Sequence, residues 1–360
     1  MDITITTSTA LWILIPAVLS LVIASTMGLF GGNKMPVDGK EGLRQTVLIT
    51  GASEGMGLSV AQKLAARGAN LILVSRSAAK LEAALQSVTM LTGTLPPGRG
   101  QEPRDATFPL HPRRRIRPSY AGPLLAQARE WNNGRSPDVV WCIAGFSIPE
   151  LFVDMDMASL RKQMDVNFYG TAEMSHAVFR EWLAPDAPIE KEPRHLVMTT
   201  SVVAFYSIPG YAPYAPSKWA IRGLADTLSQ EAMLYPQNVK VHAVFPGSIL
   251  SPGYDRENIS KPGITKVLEE TDPKQTPDEV AEMAIRGLER GDYYITVNWL
   301  GSLMKWGTLG GAFRNNWIVD TLGAWLAPIA WIFAQTDMHG KIRGYGKKHG
   351  HPSTYKKHTA

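Results

Sequence analysis

The stretch Thr46 to Gly57, TVLITGASEGMG, constrains this chain most. An apolar, β-rich run from Thr46 to Ile49 leads straight into Gly51, Gly55 and Gly57, and then into a helical pattern from Leu58 to Arg67 that stops at Gly68. Glycines in such a turn let the backbone approach a pyrophosphate, whose charge meets the free amides and the positive dipole end of the next helix. Ser53 lies in the same turn. Strand, glycines and helix in that order predict the opening of a doubly wound parallel α/β sheet with a nucleotide at its carboxyl edge. A glycine-rich turn without a ligand is the plainer alternative.

The second informative stretch is Ser201 to Lys218, SVVAFYSIPGYAPYAPSK. Tyr214 and Lys218 are four residues apart, so on a helix they share a face and an ammonium lies beside a phenol. A nearby cation favours phenolate, which makes a tyrosine a usable proton donor and acceptor near neutral pH. Ser201 follows the apolar run Leu196-Val197-Met198, and its hydroxyl is placed to hold a substrate oxygen. The three side chains suit a carbonyl or an alcohol. A surface tyrosine and a solvated lysine have the same spacing.

TGASEGMG at 50–57, followed in order by Asn167, Ser201, Tyr214 and Lys218, resembles the short-chain dehydrogenase/reductase family over about Thr46 to Thr296. The resemblance implies a Rossmann fold with Ser201, Tyr214, Lys218 and Asn167 catalytic, Asn167 continuing a proton relay from Lys218 through water. It also implies that Gly51, Ser53, Gly55, Gly57, Gly145, Tyr214, Lys218 and the turn Pro246-Gly247-Ser248 contact the cofactor, with Ser251 the nearest hydroxyl for the nicotinamide carboxamide. Ala144-Gly145 stands where the family commonly carries Asn-Asn-Ala-Gly, so the asparagines are missing and the glycine remains. Within the family, the N-terminal apolar segment, the Cys-Ile-Ala-Gly at 142–145 and the apolar C-terminal extension are similar to fungal 3-ketodihydrosphingosine (3-dehydrosphinganine) reductases. That layout implies NADPH, a long-chain sphingoid ketone, the endoplasmic reticulum membrane and no metal. Alternatives are a hydroxysteroid or retinoid dehydrogenase of the same family, and an NADP-binding membrane scaffold without activity.

Cofactor choice is also legible in the residues. Asn70 to Ser75, NLILVS, reads as the second strand, whose end faces the adenosine ribose in a doubly wound sheet. No acid stands there to accept from a 2′-hydroxyl. Arg76 offers a permanently charged planar fork for a 2′-phosphate, so NADPH is expected over NADH. The alternative is an arginine that merely caps the helix Ala78 to Leu91.

From Thr92 to Pro118 the pattern fails, and no third strand is legible among the prolines and arginines. The segment reads as an irregular insertion, a basic loop at a membrane face, or a misread exon. Beyond it the pattern returns at Tyr120 to Trp131, followed by a strand Asp138 to Ala144 and a helix from Leu160 towards Phe179. Asn167 falls within that last helix, where a polar amide can bond its own backbone and open the ladder. The strand Lys240 to Phe245 precedes Pro246, and Leu250 to Thr276 reads as a mobile flap over the substrate. Thr276, Pro277 and Glu279 announce a capped helix to Arg290.

The ends point to a membrane. Ala10 to Phe30 is uncharged throughout, and as a helix would span roughly 30 Å, one hydrocarbon core. Lys34, Lys40 and Arg44 follow it while MDITITTST has no Lys or Arg, which places the domain in the cytosol. Cleavage as a signal peptide near Ala24-Ser25-Thr26 is the alternative. From Tyr293 the chain is expected to leave the domain: Ile295 to Phe313 and Trp317 to Phe333 are apolar but interrupted by Lys305, Arg314, Asp320 and Pro328, so they read as interfacial segments, or else as a homo-oligomer interface. His339 to Ala360 reads as a basic tail in water. The expected organisation is thus an anchor at 1–33, a reductase domain at 44–296 with the insertion at 92–118, membrane-associated segments at 297–335 and a tail at 336–360. Charged residues make up 19%, below the ~25% common in soluble domains. The net charge of +5, partly held in the tail, suggests anionic lipid and no nucleic acid. Cys142 alone excludes an intramolecular disulfide and reads as a core residue.

Overall fold

A computed structural model of the protein describes residues 45–92, 105–109, 120–310 and 313–349. The expected anchor at 1–33 lies outside them. Runs rich in Val, Ile and Leu supply the central strands of a parallel sheet made of β1 (Thr46–Thr50), β2 (Asn70–Ser75), β3 (Asp105–Pro109), β4 (Val139–Cys142), β5 (Arg194–Thr199), β6 (Val239–Phe245) and β9 (Tyr294–Thr296), in the order β3-β2-β1-β4-β5-β6-β9. Every residue of β1 and β4 is buried, as a strand covered on both faces requires. Alternate residues serve opposite cores. Val47, Ile49, Leu71, Leu73 and Trp141 meet helices α1 (Gly55–Ala66), α2 (Ala78–Thr92) and α9 (Pro277–Glu289). Leu48, Ile72, Val74, Val140 and Cys142 meet α3 (Ala121–Trp131), α5 (Gly170–Trp182) and α6 (Ala215–Glu231). Cys142 is therefore a buried core thiol. The α9 cap is as the sequence suggests: Thr276 Oγ1 accepts from the Glu279 amide, and Glu279 Oε2 accepts from the Thr276 amide.

Four expectations are corrected. The third strand, which was not legible in the sequence, is present; its five residues, Asp-Ala-Thr-Phe-Pro at 105–109, sit on a sheet edge, where one neighbour suffices and an apolar run is not needed. Tyr293 does not leave the domain, because β9 pairs with Ala243 to Phe245 of β6. The expected flap is folded: it holds α7 (Pro252–Ser260), α8 (Gly263–Leu268) and β8 (Lys274–Gln275), the last paired with β7 (Ser248–Ile249). Two of the charges that seemed to interrupt the C-terminal apolar runs pair with each other. Lys305 on α10 (Trp299–Gly307) lies 3.1 Å from Asp320 on α11 (Trp317–His349), both buried, and Trp306 Nε1 donates to the same carboxylate.

Helix α11 also takes in the first part of the expected aqueous tail. It is long and apolar enough to cross a membrane by length and composition. It nevertheless runs along the domain, packing on α10 and α8, with the Trp331 ring 4.8 Å from that of Tyr206. Its outer stripe of Trp317, Ile318, Trp325, Ile332 and Phe333 is exposed.

Two histidines cross-link neighbouring strands in the core. His242 Nδ1 faces the Asp292 carbonyl at 2.7 Å, so it carries the hydrogen, and Nε2 accepts from His195 Nδ1 at 2.9 Å. Burial, helped by neighbouring positive charge, lowers His242 to about 4 and His195 well below its ordinary value. The folded state thus takes up protons less readily than the unfolded chain, and stability present above about pH 6.5 is lost as pH falls. Urea unfolding should show a loss of about 2 kcal/mol from His242 alone between pH 7.5 and pH 5, and His242→Asn should flatten that slope. An equal slope in the variant would place the acid sensitivity elsewhere.

Candidate active site

The candidate site residues other than Asn167 line one cleft of about 980 Å³ at the carboxyl edge of the sheet, and Asn167 is buried next to it. Its first wall is the loop between β1 and α1. Gly51 has φ +73°, and a Cβ there would lie 2.8 Å from the Ala144 backbone; a Cβ on Gly57 would lie 2.2 Å from the Gly51 carbonyl oxygen. The loop closes only on glycine. Ser53 Oγ sits 2.7 Å from Ser75 Oγ, joining the loop to the end of β2. Arg76 follows β2, exposed at the cleft edge, with no hydrogen bond or ion pair among the described residues.

The second wall carries the polar side chains. Tyr214 precedes α6 and Lys218 follows one turn later, its ammonium 5.7 Å from the phenol ring centre. Lys218 is buried and donates to the Thr199 carbonyl at the end of β5, at 3.0 Å. Ser201 leaves the same strand end and donates to the Pro246 carbonyl at 3.3 Å. Asn167 sits in a π-helical turn, Met164–Tyr169, between α4 (Met157–Gln163) and α5. The ladder is open there as expected, but the amide does not bond its own helix backbone. Oδ1 accepts from the Phe146 amide, and Nδ2 donates to the Phe146 carbonyl and to Ser217 Oγ, each at 3.0 Å. A Cβ on Gly145 would lie 3.2 Å from Asn167 Oδ1 and 3.4 Å from Lys218 Nζ. Pro246, Gly247 and Ser248 line the cleft after β6. Ser251 caps α7, accepting from the Tyr254 amide at 3.3 Å, and its Cβ lies 3.4 Å from where a Cβ on Gly55 would be.

The electrostatics differ from the expectation of a depressed phenol. Burial pushes Tyr214 well above its ordinary value, the Glu257 charge adds to this, and the hydrogen bond with Ser201 works against it. In the chain by itself Tyr214 is therefore a protonated acid. Burial lowers Lys218 to about 8, so the ammonium carries its charge at neutral pH and loses it within reach of mild base.

Several residues in and around the cleft escaped the sequence reading. Ser217 holds Asn167, and Met304 and Met338 line the cleft from α10 and α11. Glu54, between the glycines, pairs with Lys80 at 2.6 Å and with Arg256 of α7. Tyr211, Glu257, Lys261 and Glu269 form a charged cluster. Only the Glu257–Lys261 spacing, one helical turn, signalled this in advance.

The profile of the short chain dehydrogenase family matches residues 45–95 and 132–261. The chain belongs to that family, and the glycine loop and the Tyr214 helix fall within the matched residues. Over nearly its whole length it is similar to the 3-ketodihydrosphingosine reductase gsl-3 of Neurospora crassa, with 48% identity over 98% of this chain and 95% of the relative. The 3-ketodihydrosphingosine reductase ksrA of Aspergillus fumigatus is 40% identical over 93% of each chain. A solved short-chain dehydrogenase from Sphingobium yanoikuyae in complex with NADPH shares the fold, with a TM-score of 0.57 and 21% identity over 74% of this chain and 93% of that one.

The Lys218 ammonium makes a pH prediction. If its charge supports the reaction, kcat/KM for an uncharged ketone should fall as pH rises through about 8. A flat profile from pH 7 to about 9.5 would detach that charge from catalysis.

Proposed function

We propose that the protein is an NADPH-dependent reductase that converts 3-ketodihydrosphingosine to dihydrosphingosine in sphingolipid biosynthesis. The observation that carries this reading is near full-length similarity to 3-ketodihydrosphingosine reductases, joined to a cleft in which Ser201, Tyr214 and Lys218 meet. The cleft fits the cofactor: the glycine loop leaves no space for a side chain at Gly57, Arg76, at the cleft edge where a 2′-phosphate would lie, makes no hydrogen bond or ion pair among the described residues, and the nearby acid, Glu54, is already balanced by two cations. Gly51, Ser53, Gly55, Gly57, Gly145 and the turn Pro246-Gly247-Ser248 would hold the dinucleotide, with Lys218 on a ribose. Bound there, NADPH supplies the reducing equivalent to the ketone carbon.

The side chains supply the rest. Ser201 and Tyr214 hydrogen-bond the carbonyl oxygen and stabilise the charge that develops on it. Tyr214, which burial keeps protonated in the unligated chain, gives that oxygen its proton. Lys218 stabilises the phenolate left behind, and Asn167, fixed by three hydrogen bonds, orients the backbone and water that return the proton from solvent.

The long-chain ketone reaches the cleft from a bilayer. The N-terminal apolar segment anchors the chain, and the exposed Trp and Ile stripe of α11 lies against the same membrane while the inner side of α11 places Met338 in the cleft. The endoplasmic reticulum, with the domain in the cytosol, is the location this reading assigns.

The test is a ketone panel with detergent-solubilised protein and NADPH: the sphingoid ketone, a steroid ketone and retinal. Reduction of the first is expected to dominate; preference for either other ketone would move the reading to a hydroxysteroid or retinoid dehydrogenase. Tyr214→Phe should lower kcat by about 10²- to 10⁴-fold while leaving the fold intact, and substantial turnover by that variant would end the proposed mechanism. Arg76→Asp should shift the ratio of kcat/KM values towards NADH, because a carboxylate repels a 2′-phosphate and accepts from a 2′-hydroxyl. An unchanged ratio would show that Arg76 does not read the phosphate.

A further inference from the structure

The cleft carries a charged cluster that the chemistry at Tyr214 does not use. Tyr211 Oη lies 2.6 Å from Glu257 Oε1 and 2.5 Å from Glu269 Oε1, and Lys261 Nζ reaches the two carboxylates at 2.9 Å and 2.6 Å. A hydroxyl has a single hydrogen, so Tyr211 satisfies one carboxylate at a time. A third acid, Asp272, lines the same cavity, where burial and the Glu269 charge raise it to about 6 against the opposing pull of Lys261 and the exposed Lys274. Carboxylates outnumber the one buried ammonium, and the cluster is short of a cation.

Its members divide by position. Lys261 and Glu269 are buried and tie the end of α7 to α8. Glu257 keeps 18% of its side chain exposed and lines the cleft that Ser201, Tyr214 and Lys218 line. Its charge acts on Tyr214, which places it within electrostatic reach of the reacting phenol. A separate observation points to a polar ligand in this cleft. Ser147, in the loop after β4, has an enclosed Oγ with no hydrogen-bond partner among the described residues, although it lines the cavity. A buried hydroxyl without a partner is costly unless something completes it.

A sphingoid ketone carries an amine on the carbon next to its carbonyl and a primary hydroxyl on the carbon after that. Resting on the substrate reading above, we propose that Glu257 is a specificity-determining residue that binds the ammonium beside the reacting carbonyl, with Ser147 taking the primary hydroxyl. The ammonium supplies the cation that the cluster lacks, and its hydrogens reach a carboxylate that Tyr211 and Lys261 only partly satisfy. Steroid ketones and retinal bring no cation, so binding them desolvates Glu257 without compensation. Rejection of an analogue that leaves a buried polar group unpaired is the stronger form of discrimination open to a site.

The experiment compares kcat/KM for 3-ketodihydrosphingosine with that for the same ketone lacking the amine, in wild type, Glu257→Gln and Ser147→Ala, with NADPH. Wild type should prefer the amino ketone by about ten- to a hundredfold, the range of a charge-assisted hydrogen bond. Glu257→Gln should lose most of that ratio, chiefly through KM. Ser147→Ala, a small truncation that leaves α7 and α8 untouched, should keep the amine ratio and lose a preference of about tenfold for the primary hydroxyl over its deoxy analogue. A ratio unchanged in Glu257→Gln would overturn the ammonium contact. So would equal rates of wild type on both ketones, which would leave the reductase reading standing. If wild type reduces neither ketone, the reductase reading fails, and calorimetry on the NADPH-loaded protein decides the contact alone: preference for dihydrosphingosine over its desamino analogue, lost in Glu257→Gln, supports it, and equal affinity overturns it.

Discussion

The cleft depends on one lysine ammonium held in the interior without a carboxylate. Lys218 is buried, pairs with no acid among the described residues, and is fixed by a carbonyl at the end of a central strand. Removing such a group from water is costly, which is why burial lowers it to about 8. Its neighbours are arranged around that cost. Gly145 leaves the ammonium room that a side chain would crowd, since a Cβ there would lie 3.4 Å from Lys218 Nζ, Thr199 supplies an oxygen, and the remaining donors of Lys218 are left for the cleft. Tyr214 stands one turn earlier, so a cation waits beside the phenol proposed to give up its proton.

That arrangement rests on sheet topology. β4 and β5 are adjacent and parallel, so the loop bearing Gly145 and the strand end bearing Thr199 and Ser201 open on the same edge. The β1 loop opens there too, through its pairing with β4. The π-helical turn at Asn167 then brings an amide against the Phe146 backbone, joining the loop after β4 to Ser217 of the Tyr214 helix. Three segments far apart in sequence thereby hold each other in register around a single ammonium.

Much of this was legible in the residues because local pattern carried it. The glycine loop, the buried strands and the Tyr214 and Lys218 face each announce themselves over a dozen residues or fewer. β3 was hidden because an edge strand needs little apolar sequence, and β9 because it is only three residues long. The fold of the 250–276 segment was hidden for a different reason. It is held by charge pairs, Lys261 with Glu257 and Glu269, and Arg256 with Glu54, two of which close across distances that no sequence period records. Lys305 and Asp320 misled in the same way: each reads as an interruption of an apolar run, and their pairing is what allows α10 and α11 to bury them.

The central claim is that the cleft reduces a sphingoid ketone with Tyr214 as the acid and NADPH as the reductant. The most direct measurement supplies NADPH deuterated at the transferring position of its nicotinamide together with 3-ketodihydrosphingosine, and reads the product by mass spectrometry. Dihydrosphingosine carrying deuterium on the former carbonyl carbon is the predicted result. Unlabelled product, or NADPH that binds and remains unoxidised, would contradict the account.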